Sequence, residues 1–261
     1  MQIIIPKQVE EILAGLRADG YEAFAVGGCV RDTLLGRVPG DWDITTSARP
    51  EQVKKVFGKT IDTGLQHGTV TVMREHVGYE ITTYRIDGEY EDARHPKEVA
   101  FTSDLKEDLR RRDFTINAMA YSHETGIVDI FGGMKDLKEG VVRCVGNAVE
   151  RFTEDALRIL RAIRFSAQLN FTIEDETYAA LTVIAPNLAN VSKERIQAEL
   201  TKTLLSDHPE RILLVEETGM SPYISAGVFS GLGGGGSGAR PPRAGARLVG
   251  GPLFRRGFGG V

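Results

Sequence analysis

Residues 27–48 read GGCVRDTLLGRVPGDWDITTSA, and the fold turns on how this stretch is parsed. It follows the short apolar run Tyr21–Val26, so a strand feeds the Gly27–Gly28 turn and a helix starts at Val30–Leu35. Asp41–Thr45 then returns as a second strand. Residues two apart on a strand project from one face, which brings Asp41 and Asp43, flanking Trp42, to one point in space. Two carboxylates so placed outline a magnesium site, because magnesium takes hard oxygen ligands, commonly one or two carboxylates with substrate phosphates and water. Acidic pairs also occur in ordinary turns, so the GGCVRD run ahead of the pair matters. Its glycines let backbone N–H groups approach an anion at a helix start, and Arg31 adds charge-assisted bonds to phosphate oxygens.

Outward from this stretch the pattern divides. Pro6–Asp19 carries Val9, Ile12, Leu13 and Leu16 at helical spacing and stops at Gly20. Pro50–Phe57 reads as a helix, and Thr69–Met73 and Tyr79–Arg85 as strands rich in β-branched and aromatic residues. For Glu80 on the last of these, a third carboxylate of the site and an ordinary solvated residue of an alternating strand are both open readings. From about Val149 the pattern is almost wholly helical, with Glu154–Gln168, Asp175–Ala185, Ser192–Leu205 and Pro209–Thr218 each spacing apolar residues three or four apart. An α/β head over 1–148 followed by an all-helical neck over 149–220 is the expected architecture.

The chain has 261 residues with 32 Lys and Arg against 36 Asp and Glu, a formal charge of -4. That excludes a uniformly basic nucleic-acid coat and leaves room for a local basic groove. Cys29 and Cys144 are too few for a disulfide framework and form no CxxC pair, which fits a reducing, cytoplasmic setting. No membrane span or signal peptide is expected, since no stretch approaches 18 uninterrupted apolar residues. His67 and His95 stand isolated, without metal-ligand spacing. Residues 221–261 differ in kind: five Arg, no Lys, no acid and 13 of the 30 glycines. Such composition cannot recover its ordering entropy by burial, so a disordered Gly/Arg-rich tail is expected. A basic RNA-binding tail and a non-native continuation, as from a shifted reading frame, both remain open.

Two further runs join the first: RRDFTINAMAY over Arg111–Tyr121 and EDALRILRAIRF over Glu154–Phe165. In that order, the three runs resemble the bacterial class II CCA tRNA nucleotidyltransferases, relatives of bacterial poly(A) polymerase, over roughly residues 8–220. The resemblance implies template-independent addition of CMP and AMP to the tRNA 3′ end from CTP and ATP. It implies Asp41 and Asp43 as ligands of two Mg2+ ions, and Gly28, Arg31 and Arg112 as nucleotide contacts. It also implies that Asp155 and Arg158 read the incoming base, with Arg161 and Arg164 on the same helix reaching the nucleotide or supporting that pair. The chemistry suits the role: cytosine and adenine each offer an amino donor beside a ring-nitrogen acceptor, matching a carboxylate and a guanidinium. Uracil and guanine turn a carbonyl toward Asp155 instead.

The resemblance implies that the polar segment Asp87–Pro96 is a family loop that assists the change from C to A addition; a solvated connector with no catalytic part is the alternative reading. Family members continue beyond the neck into body and tail domains that hold the tRNA, and this chain is expected to end before them. Poly(A) polymerase and a nucleotide-binding or RNA-binding remnant without turnover are the alternative readings.

Overall fold

The computed structural model describes residues 3–87 and 99–224. The chain opens with helix α1 (Lys7–Ala18), strand β1 (Ala23–Val26), helix α2 (Gly28–Leu34), strand β2 (Ile44–Thr46) and helix α3 (Pro50–Val56). Strands β3 (Thr60–Gly64), β4 (Thr69–Arg74), β5 (Val77–Thr83), β6 (Arg85–Asp87) and β7 (Val99–Phe101) follow, then helix α4 (Leu105–Arg110). Strands β8 (Met119–Ser122) and β9 (Gly126–Asp129), helix α5 (Gly133–Glu139) and strand β10 (Val141–Val142) complete the mixed region. Behind it come helices α6 (Ala148–Glu154) and α7 (Leu157–Leu169), strand β11 (Thr172–Ile173), and helices α8 (Asp175–Ile184), α9 (Lys193–Leu204), α10 (Leu214–Glu217) and α11 (Ser221–Ile224).

Seven strands form one sheet in the order β3-β4-β5-β2-β1-β8-β9. β2 and β5 run parallel; the other neighbouring pairs are antiparallel. The central strand Ala23–Val26 is buried along its whole length because both faces of the sheet are covered. Ala23 and Ala25 face the core that α1 fills with Val9, Ile12, Leu13 and Leu16, while Phe24 and Val26 face Tyr84 and Leu109. Alternation on a strand thus becomes a four-residue apolar run. A third core joins Phe114, Ile116, Val142 and Cys144 to the apolar faces of α6 to α8. Phe114 makes edge-on contacts with Phe152 at 6.3 Å and Phe165 at 5.7 Å, locking the sheet region to the helices.

The α/β head and helical region are as the sequence implies; several boundaries differ. The strand expected over Asp41–Thr45 is regular only at Ile44–Thr46. Asp41 and Asp43 lie on its approach, where Val26 N–H still donates to the Asp43 carbonyl at 3.0 Å. Tyr79–Arg85 is interrupted at the fully buried Tyr84, whose N–H bonds the Thr46 carbonyl at 2.7 Å before β6 starts. Glu154–Gln168 is not one helix. Asp155 is extended (φ -143°, ψ 101°) between α6 and α7, and its Oδ1 accepts from Leu157 N–H at 3.1 Å. A carboxylate that caps the next turn ends the one before it. Pro209–Thr218 is a 3-10 turn over Pro209–Leu213 followed by α10. The Asp87–Pro96 segment falls almost wholly outside the described residues, and of the 221–261 segment the structure describes only α11. Among the described residues, no helix is long and apolar enough to cross a membrane.

Candidate active site

Asp43 and Glu80 are brought together by strand register. β2 runs beside β5 with Ile44 next to Ile81, and continuing that register by one residue sets Asp43 beside Glu80 on the same sheet face. Gly40, Asp41, Trp42, Asp43, Tyr79 and Glu80 line one cleft of about 410 Å³. Asp43 and Glu80 also line a neighbouring cleft of about 220 Å³, together with Arg85, Arg111 and Arg112. The two acid-bearing clefts therefore meet at Asp43. Its side chain reaches solvent, yet the enclosing walls desolvate the carboxylate, and with the negative charges of Asp41 and Glu80 they push its pKa up. Arg112 opposes the shift. Three acids thus line one cleft, with arginines in the cleft beside it.

Among the described residues, no group of three His, Cys, Asp or Glu side chains is drawn together closely enough to hold a metal unaided. Glu80 contributes charge to the cleft without completing such a set. The donor chemistry nonetheless fits magnesium, which needs only one or two protein carboxylates where phosphates and water supply the rest. Among the described residues His67 joins no such group, and His95 lies outside them. Cys29 sits behind the acids with its Sγ 3.4 Å from the Val26 carbonyl. Burial, reinforced by Asp43, pushes its pKa up to about 12, so it is an inert packing thiol and no nucleophile.

The glycine turn packs against two arginines. Gly27 has φ +80°, a conformation that favours glycine, and a Cβ there would stand 2.9 Å from Arg112 Nη1 and displace the guanidinium. Gly28 opens α2, where a Cβ would be 3.7 Å from Arg31 Nη2. Arg31 is buried. It donates to both Asp32 oxygens at 2.8 and 3.0 Å and to Asn117 Oδ1 at 2.6 Å. Arg112 is less fully engaged: Nη2 lies 3.6 Å from Asp108, and its buried Nε has no hydrogen-bond partner. An orphaned guanidinium donor beside an acid cluster is the feature expected where an anionic ligand binds.

Asp108 is a site residue that motif reading misses. Fully buried on α4, it accepts from Thr45 Oγ1 at 3.0 Å and from Arg111 Nε and Nη2 at 3.0 and 2.8 Å. Burial raises its pKa, but Arg111 and Arg112 outweigh that and hold it below the usual carboxylate range. It is the fixed counter-charge for the arginine pair. The available signal is its spacing, three and four residues before Arg111 and Arg112 on a helical turn.

Asp113 links this wall to the helical region. Its Oδ1 accepts from Phe114 N–H at 2.8 Å and Asn117 Nδ2 at 3.1 Å; its Oδ2 accepts from Arg161 Nε at 2.7 Å. Burial would raise this carboxyl, but Arg161 and the hydrogen bonds bring it down to about 2. A continuous chain of contacts therefore runs Arg31, Asn117, Asp113, Arg161, from the glycine turn to α7. Arg164 instead bonds Glu199 on α9 and Gln168, bracing the helices.

Asp155 and Arg158 have separate partners. Asp155 Oδ2 pairs with Arg195 at 2.8 Å. Arg158 donates to the Arg151 carbonyl at 2.8 Å, to Glu154 at 2.8 Å and to the Arg111 carbonyl at 3.2 Å. Only Arg158, Arg161 and Arg164 share α7; Asp155 stands in the break before it.

Residues 23–143 match the family model of the Poly A polymerase head domain. Residues 170–225 match the model described as "Probable RNA and SrmB- binding site of polymerase A". The chain is 52% identical over 204 residues to the CCA-adding enzyme of Leuconostoc mesenteroides, covering 78% of this chain and 51% of that relative. It is similar to the Bacillus stearothermophilus CCA-adding enzyme in complex with CTP, with TM-score 0.79 and 42% identity, covering 85% of this chain and 55% of that one. The Thermotoga maritima CCA-adding enzyme complexed with tRNA matches with TM-score 0.69 and 28% identity, covering 85% and 56%. The chain spans about half the length of the curated relatives it matches. Since the two family models between them take in more than half of the chain, and the acids and arginines they enclose gather at one cleft, the chain belongs to the poly(A) polymerase and CCA-adding family of nucleotidyltransferases.

Proposed function

We propose that this chain carries the head and neck of a cytoplasmic CCA-adding enzyme, transferring CMP and AMP from CTP and ATP to the tRNA 3′ end with release of pyrophosphate. The head is assigned to residues 1–148, the neck to 149–220 and a separate tail to 221–261. The observation that carries the reading is the junction of the Asp41, Asp43 and Glu80 cleft with the cleft walled by Arg111 and Arg112. Asp41 and Asp43 would hold Mg2+. When bound, the metal supplies Lewis-acid activation of the attacking hydroxyl and neutralises charge on the leaving pyrophosphate. Gly28, Arg31 and Arg112 take the triphosphate, with the orphaned Arg112 Nε a ready donor. Transfer then rests on positioning and fixed charge, with no covalent enzyme intermediate.

Base choice is assigned to Asp155 and Arg158, with Arg161 and Arg164 behind them. Reading a base requires Asp155 to exchange its Arg195 partner and Arg158 its Glu154 partner for the base edge. A mispaired buried polar group costs about 1–3 kcal/mol. The Asp155→Ala, Arg158→Ala double variant is therefore expected to lose about 10- to 100-fold in CTP-over-UTP selectivity. Magnesium dependence should be retained. Unchanged selectivity in single-turnover incorporation would remove the template role.

The chain's own activity is tested by incubating labelled CTP and ATP with magnesium and a tRNA ending before CCA. A product extended by three defined nucleotides supports the proposal. Unlimited AMP addition would make the chain a poly(A) polymerase, and nucleotide binding without pyrophosphate release a silent remnant.

A further inference from the structure

We infer, resting on the function proposed above, that Phe165 is a positioning residue for the incoming nucleoside triphosphate: its ring is the common support on which the guanidinium groups of Arg31, Arg161 and Arg164 are laid out. The three guanidinium carbons stand 5.0, 5.4 and 4.1 Å from the centroid of this single ring. Arg31 comes from α2, directly after the glycine turn, whereas Arg161 and Arg164 come from α7. The ring is therefore a point of contact shared by the helix that follows the glycine turn and by α7. It is itself fixed, being 4% exposed and held edge-on by Phe114 at 5.7 Å with an interplanar angle of 80°.

Three like charges around one side chain need a reason. Each has its own acid: Arg31 pairs with Asp32, Arg161 with Asp113 and Arg164 with Glu199. The acids neutralise the charges, and the ring orients the planes, because an aromatic quadrupole attracts a cation without accepting its in-plane N–H groups. Arg31 commits all three guanidinium nitrogens to Asp32 and Asn117, so the donors left for a ligand lie on the other two. Arg161 commits Nε and Nη2 to Asp113, which leaves Nη1; Arg164 commits Nε to Glu199 and Nη1 to Gln168, which leaves Nη2. A ligand with several anionic oxygens spaced along a chain, as in a nucleoside triphosphate, matches such an array better than a single phosphate does.

The test is equilibrium binding of CTP with Mg2+ to the full chain, with thermal midpoints recorded for every variant. Phe165→Leu keeps an apolar side chain and removes the ring; it is expected to weaken CTP binding about 10-fold while the fold is retained. Phe165→Tyr, which restores the ring, should bind within about twofold of the parent. Arg31→Lys keeps the charge and loses the plane, so it should cost affinity in the parent and little more when combined with Phe165→Leu. Should Phe165→Leu not fold, Phe165→Met serves in its place. Affinity unchanged in the folded ring-less variant, or fully multiplicative losses with Arg31→Lys, would overturn the positioning role alone. Absence of CTP binding by the parent chain would overturn the functional reading and this inference together.

Discussion

Replacing Asp43 by asparagine is expected to cut nucleotide incorporation by at least about 10³-fold and, in the metal-free protein, to raise the thermal midpoint of unfolding. The two effects have one cause. Asp43 lies with Asp41 and Glu80 in a partly enclosed cleft, and the desolvation and repulsion that raise its pKa mean that its charged form is held at a cost to the fold. A carboxyl whose pKa is higher in the folded than in the unfolded chain loses stability as pH rises, so at neutral pH asparagine relieves a penalty that aspartate imposes. Differential scanning in chelator measures this, and incorporation assays with magnesium measure the loss of turnover. A midpoint that falls on Asp43→Asn would show that the carboxylate is satisfied by the protein itself and has no need of a cation.

Asp113→Ala has the opposite signature, a loss of about 1–3 kcal/mol of unfolding free energy, because the half-buried Arg161 loses its partner. The Phe114 N–H and Asn117 amide lose their acceptor as well. The parent chain's acid sensitivity follows from the same group. Its pKa falls from an ordinary 3.8 to about 2 on folding, so its contribution is complete above pH 4 and is lost as pH drops through about 2. The difference corresponds to about 2 kcal/mol. Urea titrations of both proteins between pH 2 and pH 6 should show a steeper acid limb in the parent than in the variant; parallel limbs would mean that another carboxyl governs.

Much of this arrangement is legible in the sequence. The strand, glycine turn and helix at Ala23–Leu34 are readable because positive φ at Gly27 and a fully buried strand leave strong local marks. Asp41 and Asp43 stand out for partly the wrong local reason: they precede the regular strand, and it is the register between β2 and β5, a long-range fact, that completes the acidic floor with Glu80. The arginine ladder reads as one helix face beginning at Asp155. Spacing by three cannot show that a carboxylate has turned back to cap Leu157, breaking the helix in front of Arg158. Arg195, Glu199 and Phe165 are invisible as site residues because their partners are far away in sequence or, for Phe165, because an aromatic on an apolar helix face looks like core. Phe165 is indeed core on one side and a cation support on the other.

The most direct measurement is CTP affinity with and without Mg2+ in the parent chain and in the Asp41→Asn, Asp43→Asn double variant, by titration calorimetry. It needs no tRNA, so it tests the nucleotide and metal site alone. The account predicts that Mg2+ tightens CTP binding in the parent and leaves it unchanged in the double variant. An equal Mg2+ effect in both proteins, or none in the parent, would contradict it.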